Sequence, residues 1–165
     1  MALIVETGAG LSTAESYISV ADASTRQASF GNTNWSALTA TEMEQALRRA
    51  TDYMVQTYRA RWTGYRVTEA QALDWPRYAV TVDGYTVDSD SVPNTIANAC
   101  ADFALKAAAG ELAPDLDRAI IREKVGPLET EYSAASPQST RYRAIDMALA
   151  PYLKGSSAMA QLVRS

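Results

Sequence analysis

The sequence predicts a mainly α protein: a compact bundle of about four helices, with one or two protruding β-hairpins and a mobile C-terminal arm. Three observations carry this. Apolar residues recur at helical spacing over two long stretches, Met43 to Tyr58 and Ile96 to Ala107. Two turn dipeptides, Asp83-Gly84 and Gly126-Pro127, are flanked by residues that match across a hairpin. Beyond Lys154 the chain becomes small and polar, with Leu162-Val163 as its last apolar pair.

The first helix is expected to start at Ser19, with Asp22 as its capping partner three residues on, and to stop at Gly31. The second has the clearest pattern. Thr39 caps it and Glu42 answers, while Met43, Ala46, Leu47, Ala50, Met54 and Tyr58 share one face. Glu44, Arg48, Arg49 and Asp52 occupy the other face, so one buried stripe is implied. Thr68 is expected to cap a short helical turn ending before Trp75-Pro76, because proline disfavours helix in the residue before it. Tyr78 to Val82 and Tyr85 to Val87 form a hairpin around Asp83-Gly84. The third helix opens with Pro93 in its first turn, closes at Gly110, and seals along Ile96, Cys100, Phe103 and Ala107. The fourth runs from about Tyr142 to Leu153 and buries Ile145, Leu149 and Tyr152 or Leu153. A single domain over residues 1–153 and an arm over 154–165 follow.

The stretch Ile121 to Tyr132 makes the sharpest register prediction. With Gly126-Pro127 at the turn, Val125 faces Leu128, Glu123 faces Thr130 and Ile121 faces Tyr132 on one side. On the other side Lys124 faces Glu129 and Arg122 faces Glu131, two pairs of opposite charge worth a few tenths to about 1 kcal/mol each.

Composition removes several function classes. Histidine is absent, which takes away Ser-His-Asp and Cys-His nucleophilic sites and imidazole metal ligands. One cysteine, Cys100, allows no intrachain disulfide or cysteine-based zinc site. Asp88-Ser89-Asp90 lacks the glycine and terminal glutamate of a calcium loop. The acidic pairs Glu42/Glu44, Asp88/Asp90 and Asp115/Asp117 read as capping and solvating groups. Gly8-Ala9-Gly10 lacks the third glycine of a dinucleotide fingerprint, since Thr13 stands there, and reads as a flexible turn. Neither an enzyme nor a cofactor is expected. No stretch approaches the roughly 20 apolar residues of a membrane span, and Met1 to Val5 lack the basic start of a signal peptide. Synthesis in a cytoplasm is the default expectation.

Net charge is −4 and the pI about 4.8, which weighs against DNA as the main partner. One segment runs the other way. Arg59 to Arg66 reads RARWTGYR, placing Arg59, Arg61 and Arg66 beside Trp62 and Tyr65 with no acid. Such interleaving suits a single-strand binding surface. It suits an intersubunit surface better, and next a core in which Trp62 and Tyr65 pack while the arginines pair with acids. The stretch Asp83 to Asp102 carries Asp83, Asp88, Asp90 and Asp102 and no base. A head-to-tail contact between these two segments is one expectation, with the hairpin residues Arg122, Lys124, Gly126, Pro127, Glu129 and Glu131 as a further subunit interface.

ALRRATDYM (Ala46 to Met54), LDWPR (Leu73 to Arg77), ACADFALKAAAGEL (Ala99 to Leu112), REKVGPLETEY (Arg122 to Tyr132) and LAPYL (Leu149 to Leu153) together resemble a family of small proteins encoded among tailed-phage structural genes. Its members are often labelled DnaT-like single-stranded DNA-binding proteins, and they look like head-to-tail adaptors. The resemblance implies a virion protein of the neck: a homo-oligomeric ring of about twelve copies under the portal protein, meeting a tail or other neck protein. Genomic DNA would pass through it without sequence-specific contacts, and no membrane would be involved. The arm, with Lys154, Gly155, Leu162 and Val163, would reach toward the portal. The alternative that the same label implies is a DnaT-like replication protein that binds single strands.

Overall fold

A computed structural model describes residues 2–114, 120–124, 129–132 and 140–155. The protein is mainly α with small antiparallel β elements, as the sequence implies. Among the described residues the helices are α1 (Val20–Ser29), α2 (Thr33–Ser36), α3 (Ala40–Tyr58), α4 (Asn94–Ala109) and α5 (Arg143–Leu149), the last running into a 3₁₀ turn, Ala150–Tyr152. The strands are β1 (Tyr65–Arg66), β2 (Arg77–Tyr78), β3 (Thr81–Val82), β4 (Tyr85–Thr86), β5 (Ile120–Lys124) and β6 (Glu129–Tyr132), each pairing only with one neighbour.

The α3–α4 pair is the spine of the core. Ala46, Leu47, Ala50, Met54 and Tyr58 of α3 are buried, as their spacing requires, and Met43 lies half-buried at the entry. They meet Ile96, Cys100, Phe103 and Ala107, with Ala99, Ala101 and Ala104 filling the close approach. The α3 start is a full capping box: Thr39 Oγ1 accepts from the Glu42 N–H, and the Glu42 carboxylate accepts from the Thr39 N–H at 2.8 Å. At α1, Ser19 Oγ accepts from the Asp22 N–H at 3.0 Å, confirming that start. The α1 helix is tied across to α4 by Arg26, bidentate to Asp102, and by the buried Gln27, whose amide donates to Ala101 O. Asp102 therefore serves the fold, not an acidic surface.

Several elements differ from expectation. Pro93 is the N-cap of α4, outside its first turn. The short α2 was not foreseen; it seats Trp35 in the core with its indole N–H on Ser24 Oγ. No helix follows Thr68. Thr68 and Gln71 do exchange capping-type hydrogen bonds, but the Ala72 N–H then goes to Leu11 O and the Gln71 amide to Leu73 O and Pro76 O, so the α ladder never starts. The strand expected over Tyr78 to Val82 is broken at Ala79, which has φ +56°: Tyr78 pairs with Tyr65, and only Thr81–Val82 joins the hairpin. At its tip Asp83 (φ +53°) and Gly84 (φ +86°) both adopt positive φ, the geometry of a type I′ turn. The last helix is shorter than expected, because Pro151 ends the α ladder and the chain tightens to 3₁₀; Ile145 and Leu149 are buried and Tyr152 and Leu153 half-buried.

In the β5–β6 hairpin three of the five predicted pairs stand: Arg122 opposite Glu131, Glu123 opposite Thr130 and Lys124 opposite Glu129. A register shift then sets Ile120, in place of Ile121, against Tyr132. The fifth pair, Val125 with Leu128, and the turn residues Gly126 and Pro127 lie outside the described residues, as do Asp115, Asp117 and the arm beyond Gly155 with Leu162 and Val163.

Candidate functional site

The segment Arg59 to Arg66 leaves the end of α3 and enters β1, and the structure divides its residues between core and surface. Trp62 is 1% exposed. Its ring meets Tyr58 at 5.6 Å and stands edge-on to Trp75 at 5.7 Å, and its backbone bridges Leu153. This corrects the expectation of Trp62 as an apolar contact between subunits: the ring is enclosed by its own chain. The signal missed was helical spacing, since Trp62 falls one turn beyond Tyr58 on the buried stripe of α3.

The arginines are partly consumed inside the chain. Arg66 donates from its guanidinium to Gln71 O. Arg77, buried on the partner strand, donates to Thr63 O and Gly64 O at 2.7 Å each and to Asp74 O at 3.2 Å, pinning the loop before β1. Arg59 is half-exposed and lies 3.8 Å from the carboxylate of Asp74. Arg61 is exposed, its guanidinium 5.6 Å from the Tyr58 ring centroid. Asp74 is the residue that sequence reasoning missed. It is 1% exposed, and neither carboxylate oxygen accepts a hydrogen bond. Desolvation pushes its pKa up from the usual carboxylate range, against the pull of Arg59, Arg77, the Trp62 indole N–H, which lies close but outside hydrogen-bond geometry, and Arg66.

Two groups predicted separately come together. The Lys154 N–H donates to Arg61 O at 2.7 Å, and the Thr63 N–H donates to Tyr152 O, so the start of the arm lies along the basic segment. Lys154 and Gly155 are both exposed there. On the outer face of β1–β2, Tyr65 (64% exposed) and Tyr78 (49%) lie side by side with ring centroids 5.5 Å apart. Arg61, two residues after Arg59, and Lys154 are thus brought together, and the strand pair that follows presents an exposed pair of aromatic rings. Across the neighbouring hairpin, Tyr85 is exposed, as are Asp83, Asp88 and Asp90, which make no ion pair among the described residues. Among the described residues no ion pair joins the acidic segment to the basic one.

A family model described as "Putative DnaT-like ssDNA binding protein" matches residues 1–165. The chain belongs to this family. No curated protein and no solved structure matches it. The match bears on the DnaT-like label of the resemblance and does not speak to a head-to-tail adaptor.

Elsewhere in this DnaT-like chain the candidate groups are structural. Cys100 is buried between Thr51 and Ser16, and burial raises its thiol pKa, the opposite of an activated nucleophile. Glu44 pairs with Arg48, which also reaches Glu15. The Gly8-Ala9-Gly10 turn is held, not loose: the buried Glu6 carboxylate accepts from the N–H groups of Gly8, Gly10 and Leu11 at 2.8 to 3.0 Å. Successive N–H groups of this kind form an anion-binding concavity, here filled by the chain's own carboxylate. Among the described residues no cluster of His, Cys, Asp or Glu is placed to hold a metal, and no helix is long and apolar enough to cross a membrane.

Proposed function

We propose that this chain binds single-stranded DNA along the edge formed by Arg59, Arg61, Lys154, Tyr65 and Tyr78. The observation that carries the reading is the exposed Tyr65–Tyr78 pair, which follows within a few residues the segment bearing the exposed Arg59 and Arg61, with Lys154 hydrogen-bonded to that segment's backbone. Each ring offers a π-face to a base, a contact that tolerates any sequence and contributes about 1–3 kcal/mol. The cations meet phosphates. The family description points the same way. With only three cations on the edge, the dependence of log affinity on log salt is shallow, near −2 at about −0.7 per contact. The affinity is in the micromolar range typical of non-specific binding. Neither a catalytic step nor a cofactor belongs to this reading.

The test is fluorescence anisotropy with a labelled oligothymidylate at about 50 mM salt. Tyr65→Ala and Tyr78→Ala each weaken binding about tenfold, in line with loss of one stacked base. Absence of binding by the wild type, or binding by both variants as tight as the wild type's, overturns the proposal.

A second reading, the head-to-tail adaptor subunit of a phage neck, is favoured by the net charge of −4 and by Asp83, Asp88 and Asp90, which are exposed and without an ion pair among the described residues. In that reading the acidic side of one copy meets the basic edge of the next in a closed ring of about twelve, seated between the portal and a tail or neck protein. Sedimentation in the absence of nucleic acid separates the two: a ring that forms with no DNA present, alongside failure in the anisotropy assay, selects the adaptor.

A further inference from the structure

Asp74 occupies an unusual position beneath the basic edge. The carboxylate is 1% exposed, yet its two oxygens accept no hydrogen bond. Two of the residues that act on it also carry a buried donor without a partner, Trp62 Nε1 and Arg66 Nε. A buried charge without hydrogen bonds is costly unless something compensates it. The direct ion pair offered to Asp74 is loose, Arg59 Nε at 3.8 Å from Oδ1. Arg59 in turn has 54% of its side chain in solvent, so it stands between the buried carboxylate and any anion arriving from outside. Arg66 and Arg77 act on the carboxylate through their charge, while they and Tyr17 make their hydrogen bonds elsewhere. Arg66 donates to Gln71 O, Arg77 holds Thr63 O, Gly64 O and Asp74 O, and the Tyr17 hydroxyl accepts from the Asp74 N–H.

We propose that Asp74 is a proton-controlled brake on this edge: as a carboxylate it retains the Arg59 guanidinium, and as a carboxylic acid it releases Arg59 to a phosphate. The inference rests on the proposed single-strand reading and adds its regulation. The chemistry is a simple proton uptake from solvent at an Asp74 oxygen, which removes one negative charge and leaves Arg59 uncompensated. Burial favours the neutral acid, so the uptake begins above the ordinary carboxylate range. Anion binding and proton binding are therefore linked with the same sign: each favours the other.

The experiment measures oligothymidylate affinity from neutral to acid pH for wild type and Asp74→Asn, with side-chain NMR following the Asp74 carboxyl carbon and the Arg59 Nε–H signal. Wild-type binding should tighten roughly fivefold as Asp74 takes up its proton, the upper range for one partly exposed ion pair. Asp74→Asn should bind at neutral pH as tightly as acidified wild type and lose that pH dependence. Should Asp74→Asn fail to fold, Arg59→Gln supplies the second arm, since the acid tightening should vanish with the released cation. An unchanged pH dependence in either variant overturns the brake. If the wild type binds no oligonucleotide at any pH, the proposed function has failed on its own account. The brake is then decided by NMR: an Arg59 Nε–H signal that follows the Asp74 titration upholds it, and one that ignores the titration overturns it.

Discussion

Trp62→Ala separates a core role from a surface role for the basic aromatic segment. The indole is 1% exposed, packed at 5.6 Å on Tyr58 and 5.7 Å on Trp75. Truncating a buried tryptophan to alanine costs about 3–5 kcal/mol in transfer and cavity terms. The two ring pairs, each worth about 0.5–1.5 kcal/mol beyond area, push the value toward the upper end. No hydrogen-bond loss is added, because Trp62 Nε1 has no partner. A loss of about 4 kcal/mol is a large share of the 5–15 kcal/mol typical of a domain. For a chain of this length it lowers the melting temperature by about 8–16 °C. The assay is urea denaturation with thermal melting, compared with Tyr65→Ala, whose ring is 64% exposed and whose loss should cost within about 0.5 kcal/mol. A Trp62→Ala protein as stable as the wild type, or no less stable than Tyr65→Ala, would refute the packing argument and return Trp62 to the surface.

Three further outcomes are expected. Glu6→Ala strands the N–H groups of Gly8, Gly10 and Leu11 and should destabilise by about 3 kcal/mol, read by thermal melting. Gly8→Ala forces a Cβ to 1.9 Å from Asp90 O at φ +104°, so it should cost about 3 kcal/mol or more; Gly31→Ala, at φ +71° with open space around it, should cost only the roughly 1–2 kcal/mol of left-handed backbone. The raised pKa of Asp74 means the folded chain holds its proton where the unfolded chain has lost it, so this group's contribution to stability falls as pH rises between the ordinary carboxylate value and the folded one. Asp74→Asn should therefore gain stability relative to wild type as pH rises through that window and hold a constant difference above it, measured by melts from about pH 4 to about pH 8; a difference that does not change with pH contradicts the shift.

The parts of the fold that were legible share one property: their information is local. The Thr39/Glu42 box, the α3 and α4 seams and the Asp83-Gly84 turn each depend on residues within a turn or two of one another, and each is present. The β5–β6 register was readable because opposite charges recur on one face of a period-two pattern. What failed was non-local. Thr68 and Gln71 look like a helix start, but Leu11, more than fifty residues earlier in the sequence, takes the Ala72 N–H. Gly8-Ala9-Gly10 is an exception in part: Glu6, which fills the turn, is a local partner that composition does not single out, while Asp90, which crowds Gly8, comes from far along the chain. The candidate site shows the same divide. The RARWTGYR segment was found from composition, while the partners that decide its use, Asp74, Tyr78 and Lys154, come from separate stretches of chain.

Net charge alone is a poor guide to what such an edge can bind. At −4 the whole chain repels polyanions weakly, but screening limits exposed charges to roughly 10 Å at ordinary ionic strength, so the local set decides. Four arginines, 59, 61, 66 and 77, cluster in sequence around the site, and their geometry sorts them into different roles. Arg66 and Arg77 hold backbone carbonyls and contribute to the shape of β1–β2 more than to its outer potential. Arg59 is shared with Asp74, and Arg61 with Lys154 forms the unrestrained part of the edge. A surface built this way has little attraction to spare, so in the proposed single-strand reading stacking on Tyr65 and Tyr78 has to provide most of the hold. The state of a single buried carboxylate then changes the available cations by about one in three. In the proposed brake, that proportion is how Asp74, enclosed in the core, would act on a partner that never reaches it.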